Sequence, residues 1–246
     1  MYSMEAKVMF GKNIKRIGSK KITFVPIHLG IDEVEVTRPK PSKFFMPEHF
    51  KSMPTHWEAE KTKLLTLDKT ARICPSFHEI FTEGFVLPAH CDMHFFMEED
   101  KMHWTVSDSD FKLTGHPSYQ YIDFMPNKSI KAVYKIPYPY MAVLPKGYSV
   151  RQVPMIYHHN TEWEVAYGTY RGDQISDIQL QLFIKSQKDE VLIKQGEPLC
   201  YFIPFKREKF SMEIKKMNDK YQELFNASQL KQRGKFKGAY FRNTHE

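Results

Sequence analysis

Between Leu144 and Phe205 the chain reads LPKGYSVRQVPMIYHHNTEWEVAYGTYRGDQISDIQLQLFIKSQKDEVLIKQGEPLCYFIPF. Short β-branched and aromatic runs alternate here with Gly, Pro and Asn turns at about 8–12-residue spacing, the pattern of an antiparallel barrel or sandwich. In LPKGY, Pro145 fixes φ and Gly147 permits a positive φ, so the pair makes a tight turn between strands. In IKQGEPLCYFIPF, Gly196 ends a turn before a last buried strand, Leu199–Phe205. Tyr170-Arg171-Gly172-Asp173 falls between these two phrases, some twenty residues from each.

Upstream, Ile22–His28 and the alternating Glu33–Thr37 read as strands beside a basic GSKK turn that precedes them. Residues 38–60 carry four prolines, which disfavours regular structure and predicts a covering loop packed by Phe44, Phe45 and Trp57. Pro75 suits the first turn of a short helix over Ser76–Thr82, which Gly84 would end. Phe85–Leu87 and Asp92–Met97 read as strands. Met102–Leu113 reads as a hairpin about the polar SDSD turn, and Tyr119–Phe124 with Lys131–Ile136 as a further pair. Downstream, Phe210, Ile214, Met217, Tyr221, Leu224 and Phe225 recur at three- and four-residue intervals, predicting an amphipathic helix over about 209–230. A basic, aromatic arm closes the chain. Three regions are therefore expected: N-terminal strands and loop (1–60), a β core (61–208), and a helix with its arm (209–246).

The 246 residues suffice to bury a core, and 19 Phe with 13 Tyr favour stacked strands over a helical bundle. No apolar run reaches the roughly 20 residues that span a bilayer. The N-terminus MYSMEAKVMFGKNIKR has no signal-peptide apolar region with a small-residue cleavage site, so a cytoplasmic protein is expected. Cys74, Cys91 and Cys200 are odd in number and widely spaced, which argues for free thiols over a disulfide framework or zinc site. Of the net charge of +7, about six units fall after Phe205, leaving the rest of the chain nearly neutral.

The order LPKGY, YRGD, IKQGEPL resembles the deoxyuridine triphosphatase (dUTPase) and dCTP deaminase superfamily, whose phrases run LP-x-GY, DYRG and I-x-x-GDRIAQL. The resemblance implies a dUTPase-like (β-clip) core over 140–206, with sites built between subunits and a trimer as the first expectation. It does not carry the family's catalysis. The position of the water-activating Asp holds Tyr167, a phenol and a poor base at neutral pH. The motif's second Asp falls at Thr169. The Pro-Arg-Ser-Gly phosphate loop falls on Pro154-Met155-Ile156-Tyr157, losing Arg, Ser and Gly, while Arg171 and Gly172 match outright. RGKFKGAYF loosely resembles the family's closing arm. As a whole, residues 70–210 also resemble uncharacterised phage and bacterial proteins. The phrases are CPSFHEIFTEGFVLPAHCDMHF, PKGY, N-x-x-W and the closing G-x-P-L-x-x-x-I-P-F-K-R-E.

The best candidate binding site is the loop Tyr157–Trp163 with Arg171 and Asp173. Two imidazoles (His158, His159), the Asn160 amide, the Trp163 indole and an Arg fork suit a nucleotide or another polar ligand. A solvated loop anchored by Trp163 is the plainer alternative. A rival pattern is His90-x-Asp92 with distal His158, followed by Arg171. It is similar to the two-His-one-carboxylate metal set and cosubstrate Arg of Fe(II)/2-oxoglutarate oxygenases. Against it, HxD arises often by chance in a chain with 11 His. Phe236, Tyr240 and Phe241 among Lys and Arg suit a phosphate backbone with stacked bases, so nucleic acid is a further candidate partner. The expected function is a non-catalytic, homo-oligomeric, phage-type accessory protein that binds a nucleotide-like ligand or a protein partner and needs no cofactor. A virion structural or assembly component and the oxygenase are the alternatives.

Overall fold

The computed structural model describes residues 20–28, 30–55, 70–99, 101–124, 130–185 and 188–235. Expectations for Trp57 and for the arm bearing Phe236, Tyr240 and Phe241 lie outside these residues. The chain divides into two compact units, Met1–Arg207 and Glu208–Glu246.

The first unit is mainly β and antiparallel. One five-stranded sheet has the order β1 (Thr23–Pro26), β7 (Ala132–Val143), β11 (Asp177–Ile184) and β9 (Trp163–Val165), with β6 (Thr114–Gly115) also on β7. A second runs β10 (Gly168–Tyr170), β8 (Tyr148–Pro154), β13 (Pro198–Lys206), β3 (Phe85–Pro88) and β2 (Lys40–Pro41). A third joins β12 (Glu190–Ile193), β4 (Met93–Glu98) and β5 (Lys101–Val106).

All three sheets contribute to one apolar core. Strand alternation dictates which residues enter it. Along β7, Tyr134, Ile136, Tyr138, Tyr140 and Ala142 point inward, met by Ile178, Leu180, Leu182 and Ile184 of β11. Leu87, Val150, Cys200 and Phe202 come from the second sheet, and Met93, Phe95, Val191 and Ile193 from the third. Pro137 and Pro139 cannot donate to the ladder, and the register of β11 against β7 shifts in this stretch, between Asp177 and Gln179. On the outer face of β13, Tyr201 is fully buried. The short helices α1 (Glu48–Lys51) and α2 (Pro75–Thr82) supply a separate aromatic cluster, with the Phe50 and Phe81 rings 4.7 Å apart.

Helix α2 begins at Pro75 and gives way to Gly84 in the left-handed region (φ 74), as its sequence predicts. The strands expected at 22–28, 85–87 and 92–97 are present within a residue or two. Other expectations are corrected. Glu33–Thr37 forms 3-10 turns instead of a strand, and the Thr37 hydroxyl donates to Val34 O at 2.9 Å, a local bond that competes with sheet pairing. Residues 38–55 are not a plain loop but hold β2, a 3-10 turn and α1; Phe50 is the buried ring there and Phe44 is exposed.

The hairpin near 102 pairs β5 backward with β4, through Glu99 at φ 48, instead of forward across SDSD. Asp108 accepts from the Asp110 N–H and turns the chain away, so Phe111 and Leu113 are buried without forming a strand. Tyr119–Phe124 is likewise 3-10 structure, whose Tyr121 and Ile122 pack against Ile130, Val133 and Phe183. β1 and β2 belong to the core sheets, so residues 20–55 form no separate region.

In the second unit the helix α3 spans Asp219–Lys235, ten residues later than its stripe predicts. Asn218 sets the start: its Oδ1 accepts from Tyr221 N at 3.1 Å, an N-cap. Residues 208–218 lack regular structure, and Phe210, Met212 and Ile214 are 89%, 87% and 87% exposed. Phe210 and Ile214 satisfy helical spacing, but the triplet with Met212 satisfies period two equally, and no cap precedes it.

Candidate functional site

A cavity of about 560 Å³ opens beside the loop that joins β8 to β9. His158, His159, Asn160 and Trp163 all line it, together with Met155, Ile156 and Tyr157. Tyr167 forms another wall and is 75% exposed, and Glu164 and Glu197 add two carboxylates.

Local chemistry holds the loop in place. Tyr157 (φ 62) and His159 (φ 56) are both left-handed, a conformation that costs a non-glycine residue energy and persists where surroundings enforce it. The Tyr157 ring lies 5.3 Å from Phe77 and 6.0 Å from Phe81, so α2 grips it. The His159 ring lies 5.3 Å from His49 of α1. Between them, His158 Nε2 lies 2.9 Å from the Phe45 carbonyl oxygen. A carbonyl only accepts, so Nε2 carries the proton and neutral His158 keeps an acceptor at Nδ1. Burial lowers the His158 pKa, opposed by the Phe45 bond and reinforced by His49 and His159. Asn160 Oδ1 accepts from the N–H groups of Glu162 (2.9 Å) and Trp163 (3.1 Å), an Asx turn that feeds the chain into β9. Trp163 is buried, anchoring the loop in the core.

Arg171 and Asp173 do not join this group. β10 runs antiparallel to β8 with Tyr170 opposite Val150, so Arg171 continues toward Ser149, near the end of β8 remote from Pro154. Five strand residues separate the two places, roughly 16 Å. Asp173 is instead a clamp. It accepts from Gly147 N at 2.9 Å and from both terminal nitrogens of Arg207, and these bonds hold its carboxyl well below the usual range. Arg207 also donates to Tyr148 O and Ser149 Oγ, each at 2.9 Å. The phrases LPKGY, YRGD and IPFKR thus meet in one structural knot, separate from the cavity.

The rival metal set of His90, Asp92 and His158 is not brought together. His90 is buried with its ring 4.0 Å from Phe111, beside a second cavity of about 390 Å³, and burial pulls its pKa down to about 4. Asp92 accepts from Gln195 N at 2.7 Å, and His158 is committed to Phe45. Among the described residues no three His, Cys, Asp or Glu side chains are grouped to hold a metal ion. Sequence reading did not reach His49, Glu164 or Glu197 as site residues. His49 comes from a segment over a hundred residues upstream, and only the outward alternation of Glu164 between buried Trp163 and Val165 signalled a side chain off the core.

Compared with protein-family models and with curated proteins, the chain matches none. No helix among the described residues is long and apolar enough to cross a membrane.

Proposed function

We propose that this chain is a non-catalytic ligand-binding protein on a degenerate dUTPase-like (β-clip) core, of the accessory type that phages encode. The observation that carries the reading is one of position. The segment matching the family's phosphate loop, Pro154–Tyr157, and the residue matching its water-activating Asp, Tyr167, border the same cavity. A strained, externally braced loop supports binding at that place. Aromatic and imidazole walls suit a planar heteroaromatic ligand, as in a nucleotide. A phenol in place of the Asp argues against hydrolysis.

Thermal-shift titration against nucleobases, nucleosides and nucleotides tests this. A ligand at 100 times its Kd adds about 2.7 kcal/mol, a clear rise in Tm. A flat panel, or steady pyrophosphate release from dUTP or dCTP, would refute it. The reading places the protein in the host cytoplasm.

One observation favours a second reading, a homo-oligomeric assembly or virion component. Phe210, Met212 and Ile214 alternate along a stretch without regular structure and are almost wholly solvated, a pattern typical of contact segments. A second copy of the chain is the occupant we propose, with a trimer as the first expectation. Light scattering after size exclusion reads the mass directly: replacing all three by Ser should return an oligomer to monomer, and a monomeric wild type would remove this reading.

A further inference from the structure

We infer that the cavity beside the 155–160 loop accepts an unphosphorylated, amino-bearing heteroaromatic, such as a nucleobase or nucleoside with an exocyclic amine, and discriminates against its phosphorylated forms. The inference rests on the ligand-binding reading above and narrows it.

Three features of the cavity carry the argument. The first is charge. Among the described lining residues there is no Lys or Arg, whereas Glu164 and Glu197 both contribute carboxylates. Lys185, which pairs with Glu164 at 3.0 Å, is not a lining residue. A phosphate placed there would meet the Glu197 carboxylate and a Glu164 already engaged by Lys185, with no guanidinium or ammonium lining the cavity of the kind that phosphate sites use.

The second feature is hydrogen-bond polarity. His158 spends its donor on Phe45 O and offers a lone pair at Nδ1, and the carboxylates accept as well. Asn160 has its oxygen occupied by two backbone N–H groups. A ligand that donates from an amino group therefore meets the His158 lone pair and the carboxylate oxygens not already taken by Lys185 (on Glu164) and the Lys194 N–H (on Glu197), whereas one that presents only carbonyls finds no donor in these groups.

The third feature is shape and face. Tyr167 is largely exposed on the cavity wall, and an exposed ring is a stacking platform with no cost in core packing. The candidate cations lie elsewhere: Arg171 is at the far end of β10, and Arg207 is bound to Asp173.

Calorimetry on the full chain at pH 7.5 separates the outcomes, using adenosine, cytidine, uridine and the corresponding 5′-triphosphates. The expected result is binding of adenosine or cytidine, with uridine and every triphosphate weaker by about tenfold or more. A triphosphate that binds as tightly as its nucleoside overturns this inference and leaves the broader reading standing. Uridine equal to cytidine also overturns it. Silence from all six compounds overturns both. Tyr167→Ala, a surface change, places the ligand: affinity should fall roughly fivefold or more with loss of a stacked ring. Unchanged affinity in both Tyr167→Ala and Glu197→Gln would put the ligand elsewhere and end the proposal.

Discussion

Arg207 grips Asp173 with two nitrogens, its Nη1 lying 2.7 Å from Oδ1 and Nη2 bonding Oδ2. The pair joins the end of β13 to the turn after β10, and through Gly147 N it also fastens the turn between β7 and β8. Two-point pairing of this kind fixes orientation as well as distance. Two turns and a strand end, far apart in sequence, are thereby locked at one place.

Asp173→Asn should therefore lower Tm at neutral pH without altering ligand binding, since the cavity lies at the other end of β8. The pH dependence has a definite sign. The folded carboxyl is depressed below its ordinary 3.8, so its stabilisation is fully present above about pH 4. It is lost as pH falls through the folded value. Melting curves of wild type and Asp173→Asn should keep a constant gap above about pH 5 and draw together as pH falls from 4 toward the folded value. A gap that stays constant down to acid would show that the carboxylate charge is not what stabilises the knot.

Gly172 is the tightest point of the same knot. A Cβ there would lie 2.3 Å from Leu144 Cδ1, 2.8 Å from Tyr170 Cε1 and 3.1 Å from Ala142 O. The backbone oxygen cannot swing aside as a side chain can. Gly172→Ala should cost about 1–3 kcal/mol by overpacking, read as a lower urea midpoint with an unchanged slope.

The sequence made the β class legible because alternation along β7, β11 and β13 is carried by large residues such as Tyr134, Ile136 and Leu180, whose burial leaves little choice of face. It misled where short-range patterns were ambiguous. Val34 and Val36 alternate like a strand, yet their polar neighbours bond locally. Phe210 and Ile214 fit a helix, yet the Asn218 cap starts it later. For the candidate site, the four loop residues His158, His159, Asn160 and Trp163 lie within one short segment, and the same cavity takes all four. Arg171 and Asp173 belong to the YRGD phrase a few residues further on, and the antiparallel β8–β10 pairing carries them to the opposite end. His49 was missed because its contact with His159 arises only when α1 packs against the loop.

The left-handed backbone at His159 predicts an inverted preference for glycine. His159→Ala and His159→Gly both delete the ring that meets His49, so their difference isolates the backbone. At φ 56 a Cβ is disfavoured, and the Gly variant should be the more stable by about 1 kcal/mol. In an ordinary loop position the order would reverse, because Gly loses more entropy on folding. Chemical denaturation of the two variants side by side measures this, and an Ala variant equal or superior to Gly would contradict the strained loop.

Thiol reactivity gives an independent reading of the core. Burial pushes the Cys91 thiol up to about 12, with Asp108 adding to it, and drives the fully buried Cys200 higher still. Cys74, at the start of α2, is only partly buried. The thiolate is the species that attacks a maleimide, and at pH 8 neither Cys91 nor Cys200 supplies it. Native protein should therefore take up one label per chain, at Cys74, and three after unfolding in urea. Mass spectrometry counts the labels and peptide mapping places them. Rapid native labelling at Cys200 would mean that β13 opens readily, in conflict with its place between β8 and β3.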